Sequence, residues 1–284
     1  MSIRAALSVL ALAVTIGAST SVVADTLPGP LRTVVIDPGH GGEDGGACGV
    51  AGIDEKELTL EVAHLVRERL AERAPGLRVV LTREIDEYPT LEDRSHLAHV
   101  VGADLFVSVH FNAAVNPAAE GIETWYLDPT GTVPGEPTPG REDEGPSLPR
   151  GEVGVTGDVH AFIVDDLRRD GAHRLSAAFA DTMQGELMAA TDATDRGVRQ
   201  GQFRVLRGVR APAVVVELGF LSHVHEGKVS ILDERHDVLA DALVDAILAW
   251  DVQATELAAD LDGVLDSRYE VAHGDATAQS VAVR

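Results

Sequence analysis

Four polar side chains lie where a metal-dependent active site could form. His40 and His110 follow or end apolar runs typical of strands, Glu55 lies at a predicted helix start, and Glu217 follows three consecutive valines. A catalytic zinc ion typically has three protein ligands, an open position for water and a nearby carboxylate that manages the proton. Two histidines and two glutamates meet that requirement, and four such stretches in one chain indicate an enzyme.

Each of the two histidines also has a purely structural interpretation. His40 is bracketed by Gly39, Gly41 and Gly42, and glycines let the backbone approach a metal or a substrate without Cβ clashes. His110 ends an apolar, strand-like run, where a buried imidazole must find a partner. That partner could be a metal ion or simply a neighbouring hydrogen-bonding group.

The candidate carboxylates, Glu55 and Glu217, can also be compared for structural and functional interpretations. Asp54 and Glu57 form a capping-box pattern, which predicts a helix beginning at this point. Glu55, in the first turn, could either bind a metal or complement the helix dipole, and its position alone does not decide. Glu57 and Glu61 are interpreted as ordinary first-turn and solvent-facing charges. Glu217 leaves a hydrophobic strand, and a buried carboxylate there suits a general base beside a cation such as zinc.

The other histidines and the single cysteine are weaker candidates. His96 and His99 are three residues apart on a predicted helix, and ordinary helical surface positions are favoured over a ligand pair. His223 and His225 follow a strand and are expected to form a turn. Cys48 is the only cysteine, which excludes an intramolecular disulfide, and it is interpreted as a small loop residue.

Six segments of the sequence together carry a resemblance to a known family. They are residues 37–42 (DPGHGG), 55–56 (EK), 81–83 (LTR), 91–94 (LEDR), 103–112 (ADLFVSVHFN) and 216–222 (VELGFLS). In this order they resemble the zinc-dependent N-acetylmuramoyl-L-alanine amidases, the type-3 amidases of bacterial cell-wall turnover. The resemblance extends over residues 32–250. One departure is His223, where the family usually has Asn, and we expect it to alter loop packing without loss of activity.

The resemblance implies a role for each candidate residue. His40, Glu55 and His110 match the family's ligands to Zn²⁺, and Glu217 matches its catalytic glutamate. Arg94 matches a recurrent arginine that we expect to brace the sheet edge near the site.

The resemblance also implies a reaction. It is hydrolysis of the amide that joins the lactyl group of N-acetylmuramic acid to L-alanine of the stem peptide, in cell-wall turnover or daughter-cell separation. A carboxypeptidase or endopeptidase acting within the stem peptide is an alternative, because the same metal site can cut any amide that the cleft positions. A wall-binding protein without catalysis would require loss of a ligand or of the base, and none is missing.

The hydrophobic pattern predicts an α/β fold. Apolar runs predict strands at residues 32–36, 77–82, 104–111, 122–127, 203–206 and 213–216. Helical spacing predicts helices at residues 54–70, 91–101, 160–169, 174–188 and 232–250, the last of which could extend to 265. Strand runs without alternation indicate burial on both faces. We therefore expect a single domain with a mixed, mainly parallel central sheet flanked by helices, as the resemblance also implies.

Residues 128–175 form an insertion within this pattern. The first part, to residue 158, is rich in Pro, Gly and acidic residues and has almost no apolar period. Division-associated members of the family carry an insertion at this point, whose helix occludes the zinc cleft until an activator protein displaces it. The resemblance thus implies an autoinhibitory lid in which Asp165 and Asp166 face the metal. The alternative is a disordered loop without function.

The two ends of the chain predict export and an extended C-terminus. Residues 1–24 combine Arg4, an apolar run and small residues before Asp25, which is typical of a secretory signal peptide. We expect a catalytic domain at residues 25–250, then a helical extension and a disordered tail over residues 251–284. The expected location is periplasmic or extracellular, without a stable membrane anchor; an uncleaved N-terminal anchor is the alternative.

The amino-acid composition limits the classes of molecule that the protein is expected to bind. The 284 residues include 46 acidic and 23 basic side chains, for a net charge of -23. This charge argues against nucleic acid or an anionic membrane surface as the main partner. Peptidoglycan is the partner that the resemblance implies.

Overall fold

The protein contains a six-stranded sheet with helices on both faces. The structure, a computed structural model, describes the backbone of residues 30–128 and 159–278, and the side chains of residues 30–128 and 171–257. The strands are β1 (Thr33–Pro38), β2 (Arg78–Leu81), β3 (Leu105–Asn112), β4 (Ile122–Leu127), β5 (Asp195–Gly201) and β6 (Ala213–Phe220). The helices are α1 (Glu55–Arg73), α2 (Leu91–Val101), α3 (Val159–Ala190), α4 (Arg204–Arg207), α5 (Glu226–Val229) and α6 (Asp233–Ala278).

The strand order is β2-β1-β3-β6-β4-β5. The strands β2, β1, β3 and β6 are mutually parallel, β4 pairs antiparallel with β6, and β5 pairs parallel with β4. The predicted mixed, mainly parallel sheet flanked by helices is therefore confirmed. Because parallel strands are joined by crossovers, their carboxyl ends lie at one edge, where ligands of such sheets usually bind.

Both faces of the central strands are covered. Every residue of β1, β3 and β6 is buried, which explains why these strands read as continuous apolar runs. One face packs against α1, α3 and α6, and the other packs against α2 and α4. The larger core holds Val66, Phe179 and Trp250, and the smaller one holds Phe106 and Phe203. The rigid layer between these cores positions the strand ends.

Near residue 200, one predicted strand was wrong and one strand was missed. The run at residues 203–206 is not a strand, because Arg204–Arg207 is a short helix that buries Val205 and Leu206. The last edge strand is instead Asp195–Gly201, a polar, glycine-containing segment. As an edge strand it pairs only with β4, so its residues are mostly half-buried and carry no strong hydrophobic signal.

The predicted helix starts are largely correct, but the capping contacts and the helix ends differ from the predictions. The predicted start of α1 is correct, but the predicted capping box is wrong, since Asp54 makes no side-chain cap hydrogen bond. A capping box is present at α2, between Thr90 and Asp93. The two helices predicted at 160–169 and 174–188 are one continuous helix, α3. Helix α6 extends beyond residue 265, to Ala278.

In the part of the chain that the structure describes, none of the helices combines the length and apolar character needed to cross a bilayer. The proposed signal peptide at residues 1–24 lies outside the described residues, as does most of the insertion before residue 159. The predicted division into signal peptide, catalytic domain and extension therefore stays a prediction.

The packing of α6 against α3 yields a stability prediction. Trp250 is 1% exposed, and its ring lies 5.5 Å from that of Phe179. Truncation to Ala should lower the free energy of unfolding by roughly 3–5 kcal/mol, because it removes a large buried side chain and leaves a cavity. Val252→Ala, at a residue that is 60% exposed on the same helix, should change it by less than about 0.5 kcal/mol. Denaturant unfolding measures both, and equal midpoints would contradict this packing.

Candidate active site

The fold brings three of the predicted residues together at the carboxyl edge of the sheet. His40 follows β1, His110 lies near the end of β3, and Glu55 is the first residue of α1. One donor atom from each residue lies within 4.8 Å of the other two. Residues that are 15 and 55 positions apart in sequence thus form one cluster, because β1 and β3 are parallel neighbours.

The carboxylate of Glu55 is the centre of this cluster. One oxygen, Oε2, lies 3.1 Å from His40 Nε2, and the other, Oε1, lies 3.0 Å from His110 Nδ1. Glu55 is 3% exposed, and it also accepts hydrogen bonds from the backbone N–H groups of Ala47 and Phe111. Such a buried carboxylate does not act merely as a first-turn charge for the helix dipole.

The loop that carries His40 has an unusual backbone. His40 has φ 58°, and among the described residues it is the one non-glycine residue with a positive φ. Left-handed backbone is costly for a residue with a Cβ and is found mainly where surrounding contacts enforce it, often at functional sites. Asp44 fixes the ring, because its Oδ2 lies 2.8 Å from His40 Nδ1. Nε2 is therefore the nitrogen turned toward Glu55.

Two glycines leave no room for side chains at this site. A Cβ on Gly39 would lie 2.3 Å from the His110 ring, and a Cβ on Gly46 would lie 2.6 Å from Glu55 Oε2 and from the His40 ring. Gly46 also has φ +66°, which only glycine adopts freely. Glycine is therefore required at both positions for the three donors to converge.

Two buried arginines donate hydrogen bonds to backbone carbonyls of the loop that carries His40. Arg94, on α2, donates to the carbonyls of Pro38 (2.7 Å) and His40 (2.6 Å) and pairs with Asp37 at 2.7 Å. Arg83 donates to the carbonyls of Pro38 (3.0 Å) and Gly39 (2.8 Å). Both arginines are at most 2% exposed. These contacts fix the backbone at the strand end from which the His40 ring projects.

The charges of the cluster shift its pKa values strongly. Burial by itself would lower the pKa of His40, but hydrogen bonds and charge interactions with Glu55 and then Asp44 raise it to about 10. His110 is affected in the same way, with its pKa raised by Glu55 in spite of burial. Burial would raise the pKa of Glu55, but the two histidines hold it well below its usual range. In the metal-free cluster, Glu55 is therefore ionised beside a protonated His40, and its charge also favours the protonated form of His110.

The donor set fits a divalent metal ion. Zinc binds imidazole nitrogen and carboxylate oxygen at about 2.0–2.2 Å, so its tetrahedral ligands lie roughly 3.3–3.6 Å from each other. The histidine nitrogens lie 3.1 and 3.0 Å from Oε2 and Oε1 of Glu55, respectively, and a set of one donor atom from each residue lies within 4.8 Å. Small side-chain adjustments would bring these donors to zinc distances. The hydrogen bond that His40 Nδ1 donates to the Asp44 carboxylate is typical of metal-binding histidines, because it orients the ring and fixes its tautomer.

Glu217 lies beside this cluster on the next strand. In the register between β3 and β6 it is directly opposite His110, and it is 6% exposed. Its negative charge contributes to the raised pKa of His110, after the larger effects of burial, Glu55 and His40. The structure thus brings all four predicted residues to one place.

A further acidic residue was missed by sequence reasoning. Glu123 lies opposite Glu217 in the register between β6 and β4, and it is 2% exposed. It accepts a hydrogen bond from Asn112 Nδ2 and one from Arg196 Nε, both at 2.8 Å. Arg199 Nε lies 3.5 Å from the same carboxylate. The signal was present in the sequence, because Glu123 interrupts an apolar strand just as Glu217 does.

Several weaker candidates lie apart from the cluster. His96 and His99 are exposed on α2, and Cys48 is exposed in its loop. His223 and His225 belong to the turn after β6, as predicted, where His223 Nδ1 accepts from the N–H of Glu226. None of these residues joins a group of converging metal-type donors in the described part of the chain.

Asp165 and Asp166 lie within the helical backbone of α3. Their side chains fall outside the described residues, so the predicted contact with a metal is untested.

The fold and this cluster define an α/β domain with a two-histidine, one-glutamate centre. A family model described as N-acetylmuramoyl-L-alanine amidase matches residues 34–249. YqiI of Bacillus subtilis is 31% identical over 216 residues, 76% of this chain and 83% of that protein. The N-acetylmuramoyl-L-alanine amidase AmiA of Escherichia coli is 29% identical over 224 residues, 78% of this chain and 77% of AmiA.

The solved catalytic domain of CwlV, an N-acetylmuramoyl-L-alanine amidase from Bacillus (Paenibacillus) polymyxa var. colistinus, is also similar. It has 30% sequence identity and a TM-score of 0.59, and the match covers 78% of this chain and 98% of that domain. The chain belongs to the N-acetylmuramoyl-L-alanine amidase family.

The buried pair of Arg94 and Asp37 yields a second stability prediction. Arg94→Met should lower the free energy of unfolding by about 3–5 kcal/mol, since it leaves the Asp37 carboxylate buried without its cation. The matched control is Arg67→Met, because Arg67 pairs with the largely exposed Glu84 and such a pair contributes less than about 1 kcal/mol. Denaturant unfolding in chelator compares the two, and similar losses would contradict the role of the buried pair.

The pKa values predict how metal affinity depends on pH. Below a pH of about 10 the metal-free His40 holds a proton, and a metal ligand must be unprotonated. Zinc binding should therefore release one to two protons from the histidines and none from Glu55, which is already ionised. The apparent affinity should therefore rise with pH up to about pH 10, by up to about tenfold per pH unit for each proton released. Calorimetry in buffers of different ionisation enthalpy counts the released protons. A count of zero would contradict His40 and His110 as metal ligands.

Proposed function

We propose that this chain is a zinc-dependent peptidoglycan amidase. It would hydrolyse the amide between the lactyl group of N-acetylmuramic acid and L-alanine of the stem peptide. The observation that carries the proposal is the convergence of His40, Glu55 and His110 within 4.8 Å, beside Glu217, in a chain of the N-acetylmuramoyl-L-alanine amidase family. The same residues are the ones that its sequence motifs single out.

The ligand set supports zinc as the metal. Two imidazoles and a carboxylate leave room for a further ligand in a four-coordinate site, which is the pattern of catalytic zinc. Zinc in such a site polarises the scissile carbonyl and lowers the pKa of water to about 7. The chain holds the ligands by fixed contacts, with Asp44 orienting His40 and two backbone N–H groups orienting Glu55.

Glu217 is the proton carrier in this proposal. Its carboxylate accepts a proton from the attacking water and delivers it to the departing L-alanine nitrogen. Its position on a buried strand, directly opposite His110, fixes its distance from the ligands. Because a strand in the centre of a sheet cannot shift without breaking both ladders, the backbone that carries this carboxylate stays fixed relative to the strand that carries His110.

Arg94 and Glu123 are positioning residues in this proposal. Arg94 holds the carbonyl of His40 and thereby the backbone from which one ligand projects. Glu123 joins Asn112 at the end of β3 to Arg196 on β5. This network links the strands on both sides of Glu217, so that the metal ligands and the base keep one relative geometry.

The proposed substrate agrees with an exported protein. Peptidoglycan lies outside the cytoplasmic membrane, and residues 1–24 have the charged start, apolar run and small residues of a signal peptide. We therefore propose a periplasmic or extracellular location. The net charge of -23 also disfavours nucleic acid as a partner.

The Glu217→Gln substitution tests the proposed base. The variant should bind zinc as wild type does but lose about 100- to 10,000-fold in turnover, because Gln is similar in shape but cannot accept the proton. Glu120→Gln, at an exposed neighbour of β4, is the control and should keep full activity. Elemental analysis and release of stem peptides from purified sacculi are measured together. Normal turnover in the Glu217 variant would reject the role.

Product analysis separates the amidase from the other peptidoglycan hydrolases. Mass spectrometry of digested sacculi should show intact stem peptides with a free L-alanine amino group, together with glycan lacking peptides. Shortened stem peptides that remain on the glycan would instead indicate a carboxypeptidase or an endopeptidase.

The autoinhibitory segment is a further proposal, which rests on the sequence. If Asp165 and Asp166 face the metal, Asp165→Asn/Asp166→Asn should raise the activity of the free enzyme on sacculi several-fold, because a closed state needs only a few kcal/mol of preference. A protein activator should then add less to the variant than to wild type. Unchanged activity of the variant would discard these residues as the occluding contact.

A further inference from the structure

A second group of converging donors lies outside the active site. Glu61 on α1 and Asp233 and His236 on α6 each present one ligand-type atom, and these atoms all lie within 4.8 Å of one another. His236 is 1% exposed, whereas Glu61 and Asp233 are exposed. The group thus combines a buried imidazole with two carboxylates at the surface, on two helices that pack against each other.

The hydrogen bonds of His236 determine which ring nitrogen faces the carboxylates. Its Nε2 lies 2.6 Å from the carbonyl oxygen of Ser230. A carbonyl can only accept, so Nε2 carries a proton. In the neutral ring, Nδ1 is then unprotonated and presents a lone pair. Metal-binding histidines have this arrangement, in which a backbone carbonyl binds the far N–H and the other nitrogen meets the metal.

The Nδ1 atom has no hydrogen-bond partner of its own. It lies 3.3 Å from Glu61 Oε1, within ion-pair distance, but the geometry does not make a hydrogen bond. A buried polar atom without a partner is costly. A lone pair that faces the Glu61 carboxylate, with the Asp233 carboxylate in the same group, is also electrostatically unfavourable unless a cation lies among them.

We propose that Glu61, Asp233 and His236 form a structural binding site for a divalent transition-metal ion of the zinc type. One nitrogen and two carboxylate oxygens suit such an ion, and water can complete the coordination because the carboxylates are exposed. The ion satisfies Nδ1 and neutralises the two acidic groups at once. This site is independent of the proposed amidase function.

The site would join two helices that pack against each other. Helix α1 begins at Glu55, and Glu61 lies less than two turns further along it. Helix α6 packs along α1, and the pairs Arg69–Asp241 (3.1 Å) and Arg73–Asp245 (2.6 Å) connect the same two helices further on. A metal ion at Glu61 holds the end of this contact that is nearest to the Glu55 ligand.

Metal stoichiometry tests the proposal on the full chain, purified without a histidine tag. After equilibrium dialysis against zinc, Glu61→Gln/Asp233→Asn should bind one zinc ion per chain fewer than wild type. The matched control Glu68→Gln/Glu234→Gln removes two exposed acidic charges from the same helices and should bind as many as wild type. The double variant should also keep wild-type amidase activity.

Thermal unfolding provides a second readout. At zinc concentrations about 100-fold above the dissociation constant, the additional ion should raise the Tm of wild type by roughly 5 °C relative to the Glu61/Asp233 variant. An unchanged stoichiometry in that variant would overturn the proposal. Equal zinc-dependent Tm shifts in wild type and variant would do the same, and would leave an ordinary ion pair between a protonated His236 and Glu61.

Discussion

The burial of the Glu55 carboxylate between two imidazoles is the constraint on which the site depends. A carboxylate that is 3% exposed must receive compensating charge and hydrogen bonds, or its desolvation would oppose folding. His40, His110 and two backbone N–H groups supply them. Helix α1 must therefore begin at the place where the ends of β1 and β3 present these groups, which ties the helix to the sheet.

A second layer of buried charges surrounds this centre. Arg94 pairs with Asp37 beneath the His40 loop, and Arg196 pairs with Glu123 beside Glu217. Each pair costs desolvation, and a well-packed apolar substitute could give equal stability. What an apolar substitute lacks is directionality: Arg94 holds carbonyls of the loop and Glu123 holds Asn112. The geometry of His40, Glu55 and His110 is thus fixed by polar contacts, whereas the rigidity of the sheet comes from its two cores.

Hydrophobic pattern was sufficient to predict most of the fold, because buried strands and amphipathic helices have distinct periods. The pattern failed where a strand has little apolar surface to bury, or where an apolar run forms a helix. The polar edge strand β5 has little to bury, so it was missed, while the apolar run at residues 203–206 was buried as a helix and not as a strand. Glu123 interrupts an apolar strand and was overlooked as a candidate, but its partner could not have been predicted, since Arg196 is 73 residues away and only the strand pairing brings the two together.

The sequence alone determined where the chemistry lies along the chain. Apolar runs marked His40, His110 and Glu217 as polar side chains at strand ends, which need a partner but could serve a structural role as well. The resemblance to the amidase motifs then singled them out as site residues. The tertiary structure decided which groups surround the Glu55 carboxylate, because a carboxylate in a first helical turn serves the helix dipole equally well until its neighbours are known. It also decided that Glu61, which the sequence predicts to be a solvent-facing charge, meets His236 on another helix. The local sequence pattern indicates which residues are buried and whether a segment is a helix or a strand. It does not show which donor atoms from distant segments meet, because that depends on how the elements pack.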